Sequence, residues 1–373
     1  MTGGTDDRAL APASLEAWAL VRQMLDDMTN VVTEDAETEM ELVEGLRVVA
    51  RVSALCAELS LDVDPESPWF FPMNREARYV GGPNPDGEYH LAMIDGRRRY
   101  RVSGDRGTAV YLGFQVLAGR GLTPRRMAAH ISDTDLAVDG AGPTAGRFGF
   151  VLAADEPTAA ELAGDAWVPI PDDASAVVVR QYVADRATEV PATLRIDPLD
   201  PPGAPERPTD GAVAEQLTAM AWTIAKLATL HRTIDPGIGS TPNQLVTASA
   251  AQLGAADTTP DNLYMLGTFR LAEGEALVID VVPPATRYWS VTLENIWHEC
   301  IDVRRRRSSL TGAAAVPDDA GLVRIVVAAH DPGHPNWLDT GGRHRGFVIL
   351  RWLDDPEAPV VSTSVVSSEV GPR

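Results

Sequence analysis

At 373 residues the chain is longer than a single hydrophobic core usually grows, and its 45% apolar content supports a sizeable core, so two domains or two fused units are expected. Acidic residues outnumber basic ones by 53 to 32, and the resulting charge of -21 argues against nucleic acid or an anionic membrane surface as a partner. Lys226 is the only lysine, which restricts any Schiff-base chemistry to that residue, and two cysteines, Cys56 and Cys300, are too few for a disulfide framework or a multi-cysteine metal site.

Residues 1–13 are polar and broken by Gly and Pro, without the basic start and apolar run of a secretion signal, and no stretch is apolar enough to span a bilayer. A cytoplasmic location is expected. A helix is predicted from Ser14, capped by that serine, with Trp18, Val21, Leu25 and Met28 on one stripe. A second helix fits 37–59, with Leu42, Leu46, Val49 and Cys56 on its apolar side. Its early glutamates, 37, 39, 41 and 44, suit a solvated helix start.

After the loop at 81–87 the pattern turns to strands. Tyr89–Ile94 and Tyr100–Val102 flank Asp95-Gly96 and read as a hairpin, followed by Thr108–Leu117, Phe148–Leu152, Ala176–Val183 and Ala192–Ile196. The proline-rich run 197–209 marks a boundary. A third helix is predicted over 211–232, capped by Thr209 or Asp210 and stopped by Asp235-Pro236-Gly237. Strands return at Ala276–Val282, Tyr288–Leu293, Leu322–Ala328 and Gly346–Trp352. The succession of strand, turn, Arg-Tyr and strand in Leu91–Val102 has a faint echo in Leu277–Thr292. The expected fold is therefore mainly β with peripheral helices, as two β-sandwich or jelly-roll-like units: a helical segment 1–65, a first β domain 66–205, and a helix plus second β domain 206–373.

Three segments of the second β region carry candidate chemistry. In the strand beginning at Arg287, alternation puts Tyr288, Ser290 and Thr292 on one face and Arg287, Trp289, Val291 and Leu293 on the other; one face is core, and Tyr288, Trp289 and Asn295 are candidates to floor or line a site, with His298 just beyond. The arginine run 304–307 supplies Arg304 and Arg306 as candidate anion binders, and alternatively neutralises the protein's own acidic surface. The third segment is the loop Asp331-Pro332-Gly333-His334-Pro335-Asn336-Trp337-Leu338-Asp339-Thr340, irregular by composition yet rich in functional side chains. His334 is a candidate acid or base and Trp337 and Asn336 candidate ligand contacts. The alternative is that His334 and Asp339 tie the loop to its own backbone while Trp337 anchors it. Pro and Gly between His330 and His334 exclude a helical zinc motif; His298, His330, His334 and Asp331 would form a metal site only if the fold brings them together, and none is expected. His130, beside Asp133 and Asp135, offers a further base and orienting carboxylate.

Gly81-Gly82-Pro83-Asn84-Pro85-Asp86 and Tyr100–Gly104 in the first half, with Arg287-Tyr288-Trp289 and the 331–340 loop in the second, resemble bacterial proteins with the domain of unknown function 1214, some with a related N-terminal domain numbered 1254. The resemblance is strongest over 270–355 and implies two β-sandwich or jelly-roll units, but no catalytic roles. Thr311 departs from a Ser-Leu-Asn segment common in the relatives. Two functions stay open: an enzyme using His334, His298 and Tyr288 on a small polar or carboxylated metabolite without an organic cofactor, or a non-catalytic module binding a carbohydrate or other small metabolite. A structural or assembly role is a weaker third, and the sequence leaves the oligomeric state open.

Overall fold

The computed structural model describes residues 12–75, 77–119, 123, 125–136, 138–139, 146–203, 207–233, 241–248, 253, 258–354, 357 and 359–367. The Asp235-Pro236-Gly237 stop falls outside them. The chain forms a helical unit, built from the residues up to Val63 together with Gly203–Thr229, and a β-rich unit, built from Asp64–Pro202 together with the chain from Leu230 onward. Among the described residues no helix is long and apolar enough to cross a membrane.

The helical unit packs α1 (Ala13–Asp35), α2 (Glu39–Leu61) and, after the four-residue α3 (Ala159–Leu162) of the β-rich unit, α4 (Asp210–Ala228). α1 starts at Ala13 and not by a serine cap. Asp210, the first residue of α4, accepts hydrogen bonds from the Ala13 and Ser14 backbone amides (2.7 and 3.0 Å) and from the Ser14 hydroxyl (2.6 Å), while Thr209 caps α4. The buried stripe of α1 is Ala17, Val21, Met28 and Val32, leaving Trp18 exposed, and α2 buries Glu41 and Glu44 with Val48, Val49, Val52, Leu55 and Cys56. The predicted solvated glutamate face is thus partly interior; the Glu41 carboxylate accepts from the Glu37 backbone amide at 2.6 Å.

The β-rich unit is mainly β with small peripheral helices, in two sandwich-like halves. In the first, a sheet ordered β1 (Phe71–Pro72), β2 (Gly87–Met93), β9 (Ala174–Tyr182), β4 (Tyr111–Ala118), β5 (Arg126–Ser132) packs on one ordered β10 (Arg195–Pro198), β3 (Tyr100–Asp105), β7 (Arg147–Ala153), β6 (Val138–Asp139), with β8 (Ala166–Pro169) parallel to β7. Leu112, Phe114, Val116, Phe148, Phe150, Val177 and Val179 fill the space between them. β2 and β3 lie in different sheets, so the Asp95-Gly96 turn is a crossover and not a hairpin. Asp95 receives the Arg98 amide, and Gly96 is needed because a Cβ there would stand 2.1 Å from the Pro171 carbonyl oxygen.

The second half runs β11 (Val246–Ala248), β12 (Asn262–Arg270), β18 (Arg345–Leu353), β14 (Trp289–Glu294), β15 (Ser309–Thr311) in one sheet and β17 (Trp337–Asp339), β16 (Val323–Ala328), β13 (Glu275–Val281), β19 (Val361–Ser367) in the other. Trp289, Val291, Leu293 and Trp352 lie in its core, so of the two faces that alternation from Arg287 separates it is the one with Trp289 that packs inward.

The two halves repeat one topology. β1, β2, β9, β4, β5 correspond in order to β11, β12, β18, β14, β15; β3, β7 and β10 correspond to β13, β16 and β19; and parallel β8 corresponds to parallel β17. The register agrees residue by residue. Tyr89, Arg180 and Gly113 form a cross-strand row in one half, and Tyr264, Arg351 and Ser290 form the same row in the other. The echo drawn between Leu91–Val102 and Leu277–Thr292 is therefore one strand out of step. The equivalent segments are Pro85-Asp86-Gly87-Glu88-Tyr89 and Pro260-Asp261-Asn262-Leu263-Tyr264.

The two five-stranded sheets meet through this repeat. The Tyr111 hydroxyl of the first half donates to Asp261 of the second (2.8 Å), and its counterpart Tyr288 donates to Asp86 of the first (3.0 Å). Tyr182 stacks between them, with ring centroids 5.0 and 5.1 Å away, and Leu353 completes the cluster. Burial pushes the Tyr111, Tyr182 and Tyr288 phenols well above their usual range, which keeps them hydroxyl donors. Asn84 adds a donor to Tyr288 at 2.7 Å.

Two outcomes follow. Tyr111→Phe and Tyr288→Phe should each lower the denaturant midpoint by about 1–3 kcal/mol of stability, Tyr288→Phe the more because it strands the buried Asn84 amide. Burial raises Asp86 to about 6, with the Tyr288 hydrogen bond opposing it. A raised carboxyl favours the folded state below its unfolded pKa near ~4, and that contribution, on the order of 1–2 kcal/mol, is lost as pH rises through about 6. Melting temperatures measured across this window should fall in the wild type relative to Asp86→Asn.

Candidate functional site

The face of β14 opposite its core side carries Tyr288, Ser290, Thr292 and Glu294 into the layer between the two five-stranded sheets. Past Glu294 the chain makes a tight turn. Asn295 builds it: its side-chain oxygen accepts from the Trp297 and Glu299 amides (3.0 and 3.1 Å), and its carbonyl accepts from the His298 amide. This turn holds His298 at φ 55, a left-handed conformation uncommon for a non-glycine residue, and returns its ring over Glu294.

The imidazole is 1% exposed, stacks on Phe347 with ring centroids 4.0 Å apart, and places Nδ1 2.8 Å from the Glu294 carboxylate. Among the described residues its Nε2 has no hydrogen-bond partner. The other Glu294 oxygen lies 3.8 Å from the buried Arg351 guanidinium, which donates to the Gly82 carbonyl at 3.0 Å and to the Thr292 hydroxyl at 3.3 Å. The Gly82 amide in turn donates to the His298 carbonyl at 2.9 Å. Gly82 has φ 69, and a Cβ there would sit 3.8–4.0 Å from the Glu294 carboxylate and His298 Nδ1, so the glycine strap 81–82 lies directly over the pair. Cys300 donates to the Pro83 carbonyl beside them, and burial pushes its thiol well up, away from nucleophilic reactivity.

Comparison of the halves isolates what is special here. Arg351 and Tyr288 have counterparts in Arg180 and Tyr111, whereas Glu294 and Phe347 stand where the first half has Leu117 and Ala176. The carboxylate and the ring that supports His298 are additions to the repeated frame.

The 331–340 loop forms a separate, self-contained group. Asn336 donates to the Val316 and Arg324 carbonyls and accepts from the Val316 amide; His334 Nδ1 accepts from the Asn336 amide at 3.1 Å; and Asp339 receives Arg306 and the Gly341 amide. Burial, with Arg324 and Arg307 nearby, lowers the His334 pKa. Trp337 donates from its indole to the Ala328 carbonyl (3.1 Å), as Trp167, at the equivalent place on β8, donates to the Ala153 carbonyl (3.1 Å). Repetition identifies Trp337 as an anchor of the parallel strand. None of the loop's hydrogen bonds or ion pairs among the described residues reaches Tyr288, Asn295 or His298.

Arg304, Arg305, Arg306 and Arg307 are exposed, and Trp289 lies in the core, where a Cβ on Gly312 would meet its indole nitrogen at 2.3 Å. His330 is also exposed. No group of three or more His, Cys, Asp or Glu among the described residues could hold a metal ion. His130 faces Asp261, 3.4 Å away, and Asp133 instead pairs with Arg106 and Arg287. The structure thus brings Tyr288, Asn295 and His298 to one buried layer and adds Glu294, Arg351 and Gly82, whose sequence trace is the polar face of β14 continued to Glu294 and met four residues later by His298.

A family model described as a protein of unknown function, DUF1214, matches residues 275–357, a range that includes Glu294, His298 and Arg351. Comparison with curated proteins gives no match. Among solved structures, an uncharacterised protein from Burkholderia cenocepacia is 30% identical, with 95% of this chain and 97% of that one covered and a TM-score of 0.86. A protein from Vibrio parahaemolyticus, 13% identical over 88% of this chain and all of its own length (100%), has a TM-score of 0.50 and shares the fold alone. With identity at this level across nearly the whole of both chains, the protein belongs to the family of bacterial proteins that carry the DUF1214 domain.

Proposed function

We propose that the protein is an enzyme that transfers a proton on a small polar or carboxylated organic substrate, with His298 as the acid–base group. One observation carries the reading: a buried histidine in a left-handed turn is oriented through Nδ1 by a buried carboxylate, while its Nε2 has no partner among the described residues. A buried histidine with a purely structural task normally has both nitrogens satisfied. With Nδ1 donating to Glu294, Nε2 is left to accept a proton, the arrangement expected of a general base with an orienting group. Arg351 would hold a substrate carboxylate or developing oxyanion, and the 81–82 strap would lift to admit it. The step needs no organic redox cofactor.

The repeated strand order supports reading both halves as jelly-roll-like units and the first as a relative of the domain numbered 1254. Recognition without chemistry, of a carbohydrate or another small metabolite, is the competing function.

The full-length protein should be incubated with hydroxy acids, keto acids, lactones and sugar acids and the products followed by NMR. Wild type should turn over at least one class. His298→Asn, a residue that tolerates the left-handed backbone, and Glu294→Gln should lower kcat about 100- to 10,000-fold while keeping the cooperative melt, and His334→Ala should retain activity. Undiminished turnover in His298→Asn would sink the assignment, and saturable binding without any product from wild type would favour the recognition module.

A further inference from the structure

We infer that the β-rich unit has a second small-molecule site, at the His130 end of the tyrosine layer, and that it takes a neutral polyhydroxylated ligand. Tyr111 and Asp261 belong to the reciprocal contact between the halves, but two neighbours do not. His130 and Gln115 lie directly across the β4–β5 ladder from each other on one face. The equivalent pair in the second half is Ser309 and Thr292, so neither the imidazole nor the amide is required by the repeated frame.

His130 Nε2 is 3.4 Å from both the Tyr111 hydroxyl and the Asp261 carboxylate, and the side chains of His130 and Asp261 are 17% and 30% exposed. The group therefore opens to solvent, unlike the sealed His298. Burial lowers the His130 pKa, which favours the neutral ring. Gln115 is 1% exposed and donates to the Thr258 carbonyl at 2.9 Å, yet its Oε1 has no partner among the described residues, and neither has the buried Thr258 hydroxyl. A buried amide oxygen left unmatched is costly, so such an atom marks a place for a donor.

The chemistry of the available atoms selects the ligand. The Gln115 amide oxygen and the Asp261 carboxylate are acceptors and the Thr258 hydroxyl can serve as one, so the ligand must present several O–H or N–H hydrogens. Opposed charges surround His130, Asp261 and Asp135 against Arg180, and an uncharged ligand avoids repulsion from either sign. A neutral polyol satisfies both conditions.

The test uses the full chain with D-sorbitol and myo-inositol as probes, following the imidazole resonances of His130 by NMR. At least one polyol should produce a saturable shift at His130 and none at His298. Gln115→Leu should weaken binding about tenfold or more, the loss of one good hydrogen bond to a buried group. Asp261→Asn keeps an acceptor for Tyr111 and should also weaken it, which covers the case that Gln115→Leu does not fold. His298→Asn should leave the polyol affinity unchanged, separating this site from the proposed acid–base centre. Absence of a saturable shift with both polyols, or affinities equal to wild type in the folded Gln115→Leu or Asp261→Asn proteins, would overturn the inference.

Discussion

The β-rich unit depends on a polar layer where most such proteins would place a second hydrophobic core. The facing sheets bring tyrosines and two buried arginines together, and each such group forfeits hydration on leaving water. The layer is tolerable because the halves satisfy each other: Tyr111 finds Asp261 across the join, Tyr288 finds Asp86, and the Tyr89 and Tyr264 hydroxyls accept from the Asn84 and Thr259 amides that turn the chain into their own strands. Such directional pairs hold one alignment of the sheets, since a slip by one residue would bury every hydroxyl without an acceptor. Glycine serves the same end. Tyr111 lies along its own strand over Gly113, where a Cβ would stand 2.1 Å from the hydroxyl, and Tyr89 lies likewise over Gly87 at 2.6 Å from a ring carbon.

A repeated frame separates maintenance from function within a single chain. Features present in both halves are what the architecture needs; features present once require another explanation. By that standard the reciprocal tyrosine contacts and the indoles of Trp167 and Trp337 are architectural. Glu294, Phe347 and His298 are not, and neither are His130 and Gln115. The strained backbone at His298 agrees with this division, because a left-handed histidine persists only where its surroundings compel it.

Much of the frame was legible in the sequence. Alternation from Arg287 separates Trp289, Val291 and Leu293 from Tyr288 but does not say which face is core, so Trp289, expected as a ligand contact, lies instead in the core; β4, β7, β9, β13, β14, β16 and β18 all fall where strands are expected. The interior strand β12 is not legible in the sequence because Gly267 interrupts its apolar run; that glycine is required by the Gln244 carbonyl oxygen, which a Cβ would approach to 1.9 Å. Asp95-Gly96 has the composition of a hairpin turn, but local turn chemistry does not specify which sheet the next strand joins; here tertiary packing against Pro171 decides it. Glu294 is not legible as a site residue because a carboxylate at a strand end ordinarily reads as solvated, and only the strap at Gly82, more than 200 residues earlier in the chain, encloses it.

The 331–340 loop shows why chemically rich composition is weak evidence of a site. Its histidine, asparagine, aspartate and tryptophan each serve the loop's own fixation, because a short parallel strand cannot be reached by a tight turn and its connection must supply its own backbone partners. The first half meets the same demand with a helix, α3, and a tryptophan, and the second with an Asn-Trp pair. What distinguishes His298 from His334 is therefore not residue type but its full burial, where His334 is partly exposed, and that the hydrogen bond His334 makes is explained by closing a loop while the Glu294–His298 pair closes nothing that its own turn, already completed by Asn295, leaves open.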